Sequence, residues 1–213
     1  MSGLFITFEG TEGSGKSTQI KLLAERLQGM GRTVRTLREP GGTPIGEEIR
    51  HTLKHSNVNH NMAPETELLL MNASRAQLVR EIIQPALAAG EIVLCDRFFD
   101  STVAYQGYGR GLNLDLVHQI ISCAIANLVP DLTLLLLVPI TVSEARRFSR
   151  TQQAPQRDRI EEAGREFFER VEQGYLKIAT AEPRRIRVIQ ATDGVETVQE
   201  AIWGAVKMLL QTR

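Results

Sequence analysis

Cysteines and long hydrophobic runs are scarce in this sequence. Its only two cysteines, Cys95 and Cys123, form neither a CxxC pair nor the Cys/His pattern of a zinc site. The most apolar run, residues 132–138, is much shorter than the ~20 residues that cross a bilayer. The first residues also lack the pattern of a signal peptide. We therefore expect a protein of the reducing cytoplasm that has no membrane partner.

The sequence also has no formal net charge and few aromatic residues. The 25 Lys and Arg residues balance 25 Asp and Glu residues, and aromatic residues make up 5% of the chain. A molecule without excess positive charge has no general attraction for nucleic-acid polymers or anionic membranes. An anionic ligand must therefore be held by a local cluster of groups. The ordinary content of hydrophobic residues, 42%, predicts one globular domain over residues 1–213.

Five apolar runs that predict strands alternate with helical patterns such as residues 64–89. The predicted strands are residues 4–9, 33–38, 91–96, 132–138 and 185–190. Because these runs are continuously apolar, they favour an α/β fold in which helices cover both faces of a parallel sheet. Ligands of such folds bind at the carboxyl ends of strands. Polar clusters follow three predicted strand ends, at residues 10–18, 38–43 and 96–111.

The first polar cluster matches the phosphate-binding loop, or P-loop, pattern G-x-x-x-x-G-K-[ST]. It follows a predicted strand and opens a predicted helix, as this motif requires. Its backbone N–H groups and the helix N-terminus would bind the phosphates of ATP, Lys16 would reach the β- and γ-phosphates, and the Ser17 hydroxyl would bind Mg²⁺. The predicted ATP-binding residues are Gly10, Thr11, Glu12, Gly13, Ser14, Gly15, Lys16, Ser17 and Thr18.

A P-loop alone does not define the reaction, because GTPases, ATP-driven motors and small-molecule kinases share it. The sequence lacks the Asn/Thr-Lys-x-Asp motif that recognises guanine. Its third predicted strand ends in Asp96-Arg97, without the glutamate that commonly polarises a hydrolytic water. Both absences favour phosphoryl transfer to a small molecule.

Arginines are placed where such a transfer needs positive charge. Arg38 and Arg97 lie at predicted strand ends beside the P-loop, and arginine binds phosphate bidentately. The variable P-loop positions contain no basic residue, so the charge that develops between donor and acceptor must be neutralised from elsewhere. The polar segment 149–160 predicts a mobile lid, which would supply Arg150, Arg157 and Arg159 and exclude water.

Five blocks in this order resemble the bacterial thymidylate kinase family: GTEGSGKST, REPGGTPIGEEIR, ASRAQ, DRFFDSTVAYQGYGRG and RDRIE. The resemblance extends from the first predicted strand to about residue 191. It implies a P-loop kinase fold with five strands, a homodimer, and phosphorylation of dTMP to dTDP by ATP with Mg²⁺.

The resemblance also assigns roles to matching positions. Asp96 would bind the metal through its water shell, and Glu12 would face the nucleotide sugar or a metal-bound water. Arg38, Arg50 and Arg97 would lie near the acceptor phosphate. Arg75 and Gln106 would read the thymine edge, and Thr102 and Tyr105 would line the sugar and base pocket. The catalytic arginine would come from the lid, and the three candidates there remain open.

One position departs from the family pattern. Relatives usually have an aromatic residue three positions before Arg75 that stacks on thymine, and this sequence has Asn72. Stacking on a base contributes about 1–3 kcal/mol. Its loss would broaden base selection unless Phe98, Phe99 or Tyr105 stacks instead, or Asn72 hydrogen-bonds the base. The departure bears on base selection and leaves phosphoryl transfer untouched.

Two other functions stay open. One is a related nucleoside or nucleoside-monophosphate kinase with a different base preference, which Asn72 suggests. The other is a non-catalytic nucleotide sensor that uses the P-loop to switch a partner surface. The lid arginines and Arg97 argue against the sensor, because a sensor has no acceptor phosphate to neutralise.

Overall fold

The sheet is the centre of the computed structural model, which describes residues 3–56, 59–151, 159–160 and 163–211. Its five parallel strands have the order β2-β3-β1-β4-β5. They are β1 (Leu4–Glu9), β2 (Val34–Arg38), β3 (Ile92–Asp96), β4 (Leu132–Leu137) and β5 (Ile186–Gln190). Every predicted strand is present, with ends that differ from the prediction by one residue at most.

Helices cover both faces of the sheet, which explains the continuous apolar strands. All six residues of β1 are buried, and successive side chains point to opposite faces. Ile6 and its alternate neighbours pack with α1 (Lys16–Gly29) and α9 (Val195–Gln211). Phe5 packs on the other face with α3 (Pro64–Leu78) and α6 (Leu114–Ile125).

The predicted helix over residues 64–89 is divided into three parts. α3 continues into a π-helical turn, Val79–Ile83, and then into α4 (Gln84–Ala88). Pro85 has no N–H, and its ring would crowd the carbonyl of the preceding turn of an α-helix. The wider π-helical turn directly before Pro85 accommodates the ring without ending the helix.

The remaining helices lie in the segments that connect the strands of the sheet. They are α2 (Pro44–Lys54), α5 (Phe99–Thr102), the π-helical segment Val103–Gly109, α7 (Ile140–Thr151) and α8 (Arg165–Ala181). The predicted lid, residues 149–160, is described only at the end of α7 and at residues 159–160. No helix of the described ranges is long and apolar enough to cross a membrane.

Strand register places the three polar clusters side by side. Asp96, the last residue of β3, lies opposite Phe8 of β1 and opposite Arg38 of β2. The P-loop, residues 38–43 and residues 96–111 therefore start at one edge of the sheet, as the parallel arrangement predicts.

Ile6 of the central strand β1 tests this packing, because its side chain has no exposed surface. Ile6→Ala should lower the free energy of unfolding by about 2–5 kcal/mol, since it leaves a cavity between β1 and its covering helices. Urea denaturation measures the change. As a control, Met208→Ala on α9, where the side chain is 56% exposed, should alter it by less than about 0.5 kcal/mol. Similar values for the two variants would contradict the core described here.

Candidate active site

The P-loop folds around the ammonium group of Lys16. Lys16 Nζ donates to the carbonyls of Gly10 at 3.1 Å and Thr11 at 3.0 Å. Gly15, directly before α1, has φ 95°, a conformation that glycine adopts without strain. Among the described side chains none caps this helix N-terminus, so its first N–H groups are available for a phosphate.

Burial, and then repulsion by Arg97, lower the pKa of Lys16 to about 8. Two cations that face each other in a buried site raise each other's energy. A phosphate placed between the loop and Arg97 would stabilise both charges. The electrostatics of Lys16 therefore indicate an anionic ligand.

Ser17 and Asp96 provide oxygen atoms beside the loop. Ser17 Oγ donates to Asp96 Oδ2 at 3.0 Å. In the described part of the chain, no group of three or more His, Cys, Asp and Glu side chains is arranged for a metal ion. A hydroxyl and one carboxylate fit Mg²⁺, which is usually bound by one or two carboxylates together with substrate phosphates and water. The described residues provide no set of ligands of the kind that binds zinc.

Arg38 and Arg50 converge after β2. Arg38 donates to the carbonyl of Pro40 at 3.3 Å, and Arg50 donates to the same carbonyl at 2.9 Å. Glu47 of α2 accepts from Arg38 at 3.1 Å. Two of the three arginines predicted for the acceptor phosphate therefore lie at one rim of the site.

Arg97 follows β3 with a left-handed backbone, φ 71°. Such a conformation is costly for a residue other than glycine and is frequent at functional sites. Its guanidinium contacts Ser101 Oγ at 3.0 Å and the hydroxyls of Tyr175 and Tyr105, both at 3.2 Å. Three hydroxyls thus hold the half-buried guanidinium in place.

Glu9 is a functional candidate that the sequence reading missed. The last residue of β1, it has no exposed surface, and its carboxylate accepts from Ser101 Oγ at 2.5 Å and from Tyr175 Oη at 2.9 Å. Burial is the main cause that raises the pKa of Glu9 to about 7, and the Asp100 carboxylate adds to it. A glutamate inside an apolar strand was the available signal, because a buried carboxylate needs specific partners.

Arg75 lies on α3, where the resemblance places a residue that reads the base. It donates to Glu39 at 2.9 Å, Asn72 Oδ1 at 2.8 Å, Thr102 Oγ1 at 2.9 Å and the carbonyl of Phe98 at 3.1 Å. The guanidinium is therefore fixed from several directions, with its charge beside the cavity.

The resemblance predicts that Asn72 faces the base, but the structure places its amide elsewhere. Asn72 Nδ2 donates to the carbonyl of Leu68 at 2.8 Å, while Oδ1 accepts from Arg75. Met71, its neighbour, forms the cavity wall. Successive residues of a helix point about 100° apart. Met71 therefore faces the cavity, whereas the next side chain, that of Asn72, contacts other residues of α3. Asn72 positions Arg75 and does not line the cavity.

A cavity of about 450 Å³ unites most of the predicted site. The predicted residues that line it are Glu12, Gly13, Gly15, Lys16, Ser17, Thr18, Arg38, Arg50, Arg75, Asp96, Arg97, Thr102, Tyr105 and Gln106. Gly10, Thr11, Ser14, Asn72 and Arg159 do not line it. The P-loop thus lies opposite the arginines and polar groups that follow β2 and β3.

The lid arginines are placed only in part. Arg159 contacts the buried carboxylate of Glu67 on α3, away from the P-loop. Arg157 and the side chain of Arg150 lie outside the described residues. Two further residues of α7, which the sequence reading missed, hold the loop: Ser143 Oγ donates to the carbonyl of Glu12 at 2.6 Å, and Arg146 donates to that of Gly13 at 3.0 Å.

Residues 8–202 match the family model of thymidylate kinase. The chain belongs to the thymidylate kinase family. A thymidylate kinase of Chlorobium luteolum is 48% identical over 204 residues, which are 93% of this chain and 94% of that protein. A thymidylate kinase of Desulforudis audaxviator is 47% identical and matches 100% of this chain and 94% of its own.

A solved structure agrees with this assignment. The crystal structure of thymidylate kinase from Ehrlichia chaffeensis has a TM-score of 0.79 and 33% identity, and the match covers 97% of this chain and 100% of that one. The family predicted from the five sequence blocks and the predicted α/β P-loop kinase fold are both confirmed.

Glu9 should make stability depend on pH in this thymidylate kinase family member. Between pH about 4.5 and about 7, folded Glu9 keeps a proton that the unfolded chain has released. Its contribution to stability is therefore full below that interval and is lost as the pH rises through it. Glu9→Gln keeps the shape without the titration, so its free energy of unfolding should fall less across the interval than that of the unmodified protein.

Urea denaturation at several pH values in this interval measures the difference. Glu25→Gln on α1, where the side chain is 57% exposed, is the matched control and should follow the unmodified protein. A Glu9→Gln curve parallel to that of Glu25→Gln would show that Glu9 is ionised throughout.

Proposed function

We propose that this protein transfers the γ-phosphoryl group of ATP to the 5′-phosphate of dTMP and forms dTDP. The observation that carries the proposal is the single cavity in which the P-loop faces Arg38, Arg97 and Gln106. Transfer between two anions depends on holding both in line and neutralising their charge. Membership of the thymidylate kinase family supports dTMP as the acceptor.

On the donor side, the loop residues 10–18 bind the phosphates of ATP. Lys16 is the central cation there, and its lowered pKa, caused mainly by burial, supports this role because a phosphate would restore a full charge. Glu12, at the wall between loop and cavity, faces the sugar or a metal-bound water.

On the acceptor side, Arg38, Arg50 and Arg97 bind the phosphate of dTMP. The hydroxyls around Arg97 support its role, because they fix the direction of a guanidinium that must meet a small anion. Arg75 and Gln106 read the edge of the base. Thr102 and Tyr105 line the pocket of the sugar and base. The position of all four residues in the cavity wall supports these roles.

We further propose Mg²⁺ as the metal cofactor. Ser17 and, through water, Asp96 would hold it, and their adjacent oxygens support this assignment. When bound, Mg²⁺ neutralises charge on the phosphates.

A homodimer and a cytoplasmic location complete the proposal. Leu69 of α3 and Leu116 of α6 are 55% and 42% exposed, and an apolar surface on these two helices supports contact with a second copy. The scarcity of cysteines supports a reducing location such as the cytoplasm.

Release of ADP from MgATP, measured by a coupled assay, tests the reaction. dTMP should be the preferred acceptor over dUMP, dCMP, GMP and AMP at equal concentration. Lys16→Ala should lower kcat by at least about 100-fold, because the transferred phosphoryl group loses its main cation in the loop. Lys21→Ala is the matched control on the same helix, where the side chain is 78% exposed, and should leave kcat unchanged.

The assay separates three outcomes. Turnover that favours another monophosphate would keep the mechanism and change the acceptor. Binding of ATP without transfer to any acceptor would replace the kinase by a nucleotide sensor. Full activity of Lys16→Ala would contradict the role of the loop.

In the proposed reaction, an arginine of the lid neutralises the charge that develops between donor and acceptor. At least one of Arg150→Gln, Arg157→Gln and Arg159→Gln should lower kcat about 100-fold or more with little change in the KM for dTMP, because the charge is needed mainly in the transition state. Arg165→Gln on α8, where the side chain is 60% exposed, is the control. If all three lid variants match this control, the lid does not deliver the catalytic charge.

A further inference from the structure

Glu67 of α3 is a buried carboxylate beside the acceptor side of the cavity. It has no exposed surface. Glu67 Oε1 accepts from Gln106 Nε2 at 2.7 Å, and Oε2 accepts from Arg110 at 3.0 Å and from Arg159. A buried carboxylate is tolerated only with such partners. The two guanidiniums more than offset its charge and leave it as a fixed acceptor for Gln106.

This contact determines which way the Gln106 amide points. A carboxylate can only accept hydrogen bonds, so it pairs with the NH₂ end of an amide and repels the carbonyl end. The reversed amide would set two acceptor oxygens against each other in a buried place, which is costly. Glu67 therefore selects one of the two orientations of Gln106.

The selected orientation presents an oxygen to the ligand. Gln106 lines the cavity, and no group of the described residues donates to its Oε1. Because Nε2 is occupied by Glu67, Oε1 is the end of the amide that remains for a ligand in the cavity that Gln106 lines. The wall at Gln106 thus offers a hydrogen-bond acceptor, with the positive charge of Arg75 on the same wall.

Such a wall distinguishes pyrimidines by their polar edges. Thymine and uracil present an N3–H donor beside the O4 acceptor, whereas cytosine presents an N3 acceptor beside an NH₂ donor. An acceptor oxygen matches N3–H and repels the unprotonated N3 of cytosine, and the cation favours O4 over an amino group. We infer that Glu67 is a specificity-determining positioning residue, which rejects cytosine nucleotides by fixing the Gln106 amide. This inference rests on the proposed function, since it assumes that Gln106 meets the base.

Glu67→Gln is the decisive variant. It keeps the shape, but an amide at position 67 can pair with either end of Gln106, so neither orientation is selected. dUMP and dCMP differ only at the edge that Gln106 would read, whereas dTMP and dUMP differ only in a methyl group. We measure kcat/KM for the three nucleotides, and the inhibition constants of dUMP and dCMP against dTMP.

In Glu67→Gln, the preference for dUMP over dCMP should fall about tenfold to 100-fold, which corresponds to one base-edge contact. The preference for dTMP over dUMP should stay as it is, because no group at the methyl changes. Arg110→Met is the matched control. It removes a charged partner of the same carboxylate and leaves the contact with Gln106, so both preferences should persist.

Two results would overturn the inference: an undiminished preference for dUMP over dCMP in Glu67→Gln, or an equal loss in Arg110→Met. A thermal melting transition confirms that each variant is folded. If Glu67→Gln alone does not fold because Arg110 and Arg159 lose their partner, the double variant Glu67→Gln, Arg110→Gln has a more balanced charge and replaces it. An unmodified protein that does not use dTMP would refute the proposed function itself, which the first assay shows before any variant is made.

Discussion

The parallel pairing of β1 with β3 is the constraint on which the site depends. Phe8 lies opposite Asp96, so the loop that follows β1 and the segment that follows β3 begin side by side. Lys16 and Arg97 then approach closely enough for Arg97 to depress the pKa of Lys16, second to the effect of burial. A slip of one residue would turn each side chain of β3 to the opposite face of the sheet. It would separate the cations and break the contact between Ser17 and Asp96.

A layer of buried polar groups beneath the cavity keeps these cations in place. Asp100 forms an ion pair with Arg185 at 2.6 Å, and Thr133 Oγ1 accepts from the same guanidinium at 2.7 Å. Asp100 in turn raises the pKa of Glu9, after burial. Glu9 and Ser101 hold the hydroxyl of Tyr175, which contacts Arg97. Since a partly satisfied buried network is costly, each member restricts the positions of the others.

Much of this arrangement was predictable from the sequence because it depends on local patterns. Runs rich in apolar and β-branched residues predicted the strands to within one residue, and the glycine spacing predicted the P-loop. The fold also follows, because parallel strands need helices on both faces. The position of Arg38 and Arg97 at one edge of the sheet was predictable, since Arg38 ends β2 and Arg97 directly follows β3.

Contacts between distant segments were not predictable in this way. Tyr175 meets Glu9 across 166 positions of the chain, and no local pattern links the two residues. In the sequence, Glu67 is one of two acidic residues near the start of a helix, and only tertiary packing buries it completely. Asn72 was selected by its position in the family pattern, and such a pattern does not say which of two neighbouring helix residues lines the cavity, where Met71 lies instead.

The distribution of charge explains how a neutral protein can bind two polyanions. Its 25 basic residues equal its acidic ones in number, so no long-range field attracts nucleotides. In the cavity, however, Arg38, Arg97 and Lys16 surround one volume, while the carboxylates of Glu9 and Glu67 have no exposed surface. These two buried acids act on their neighbours in the protein, whereas the cations would act on the ligand in the proposed reaction. Because the cations repel one another until an anion separates them, binding of the first phosphate lowers the energy of the site itself. In the proposed reaction, specificity would therefore come from the few neutral groups around the base, such as Gln106, which Glu67 contacts.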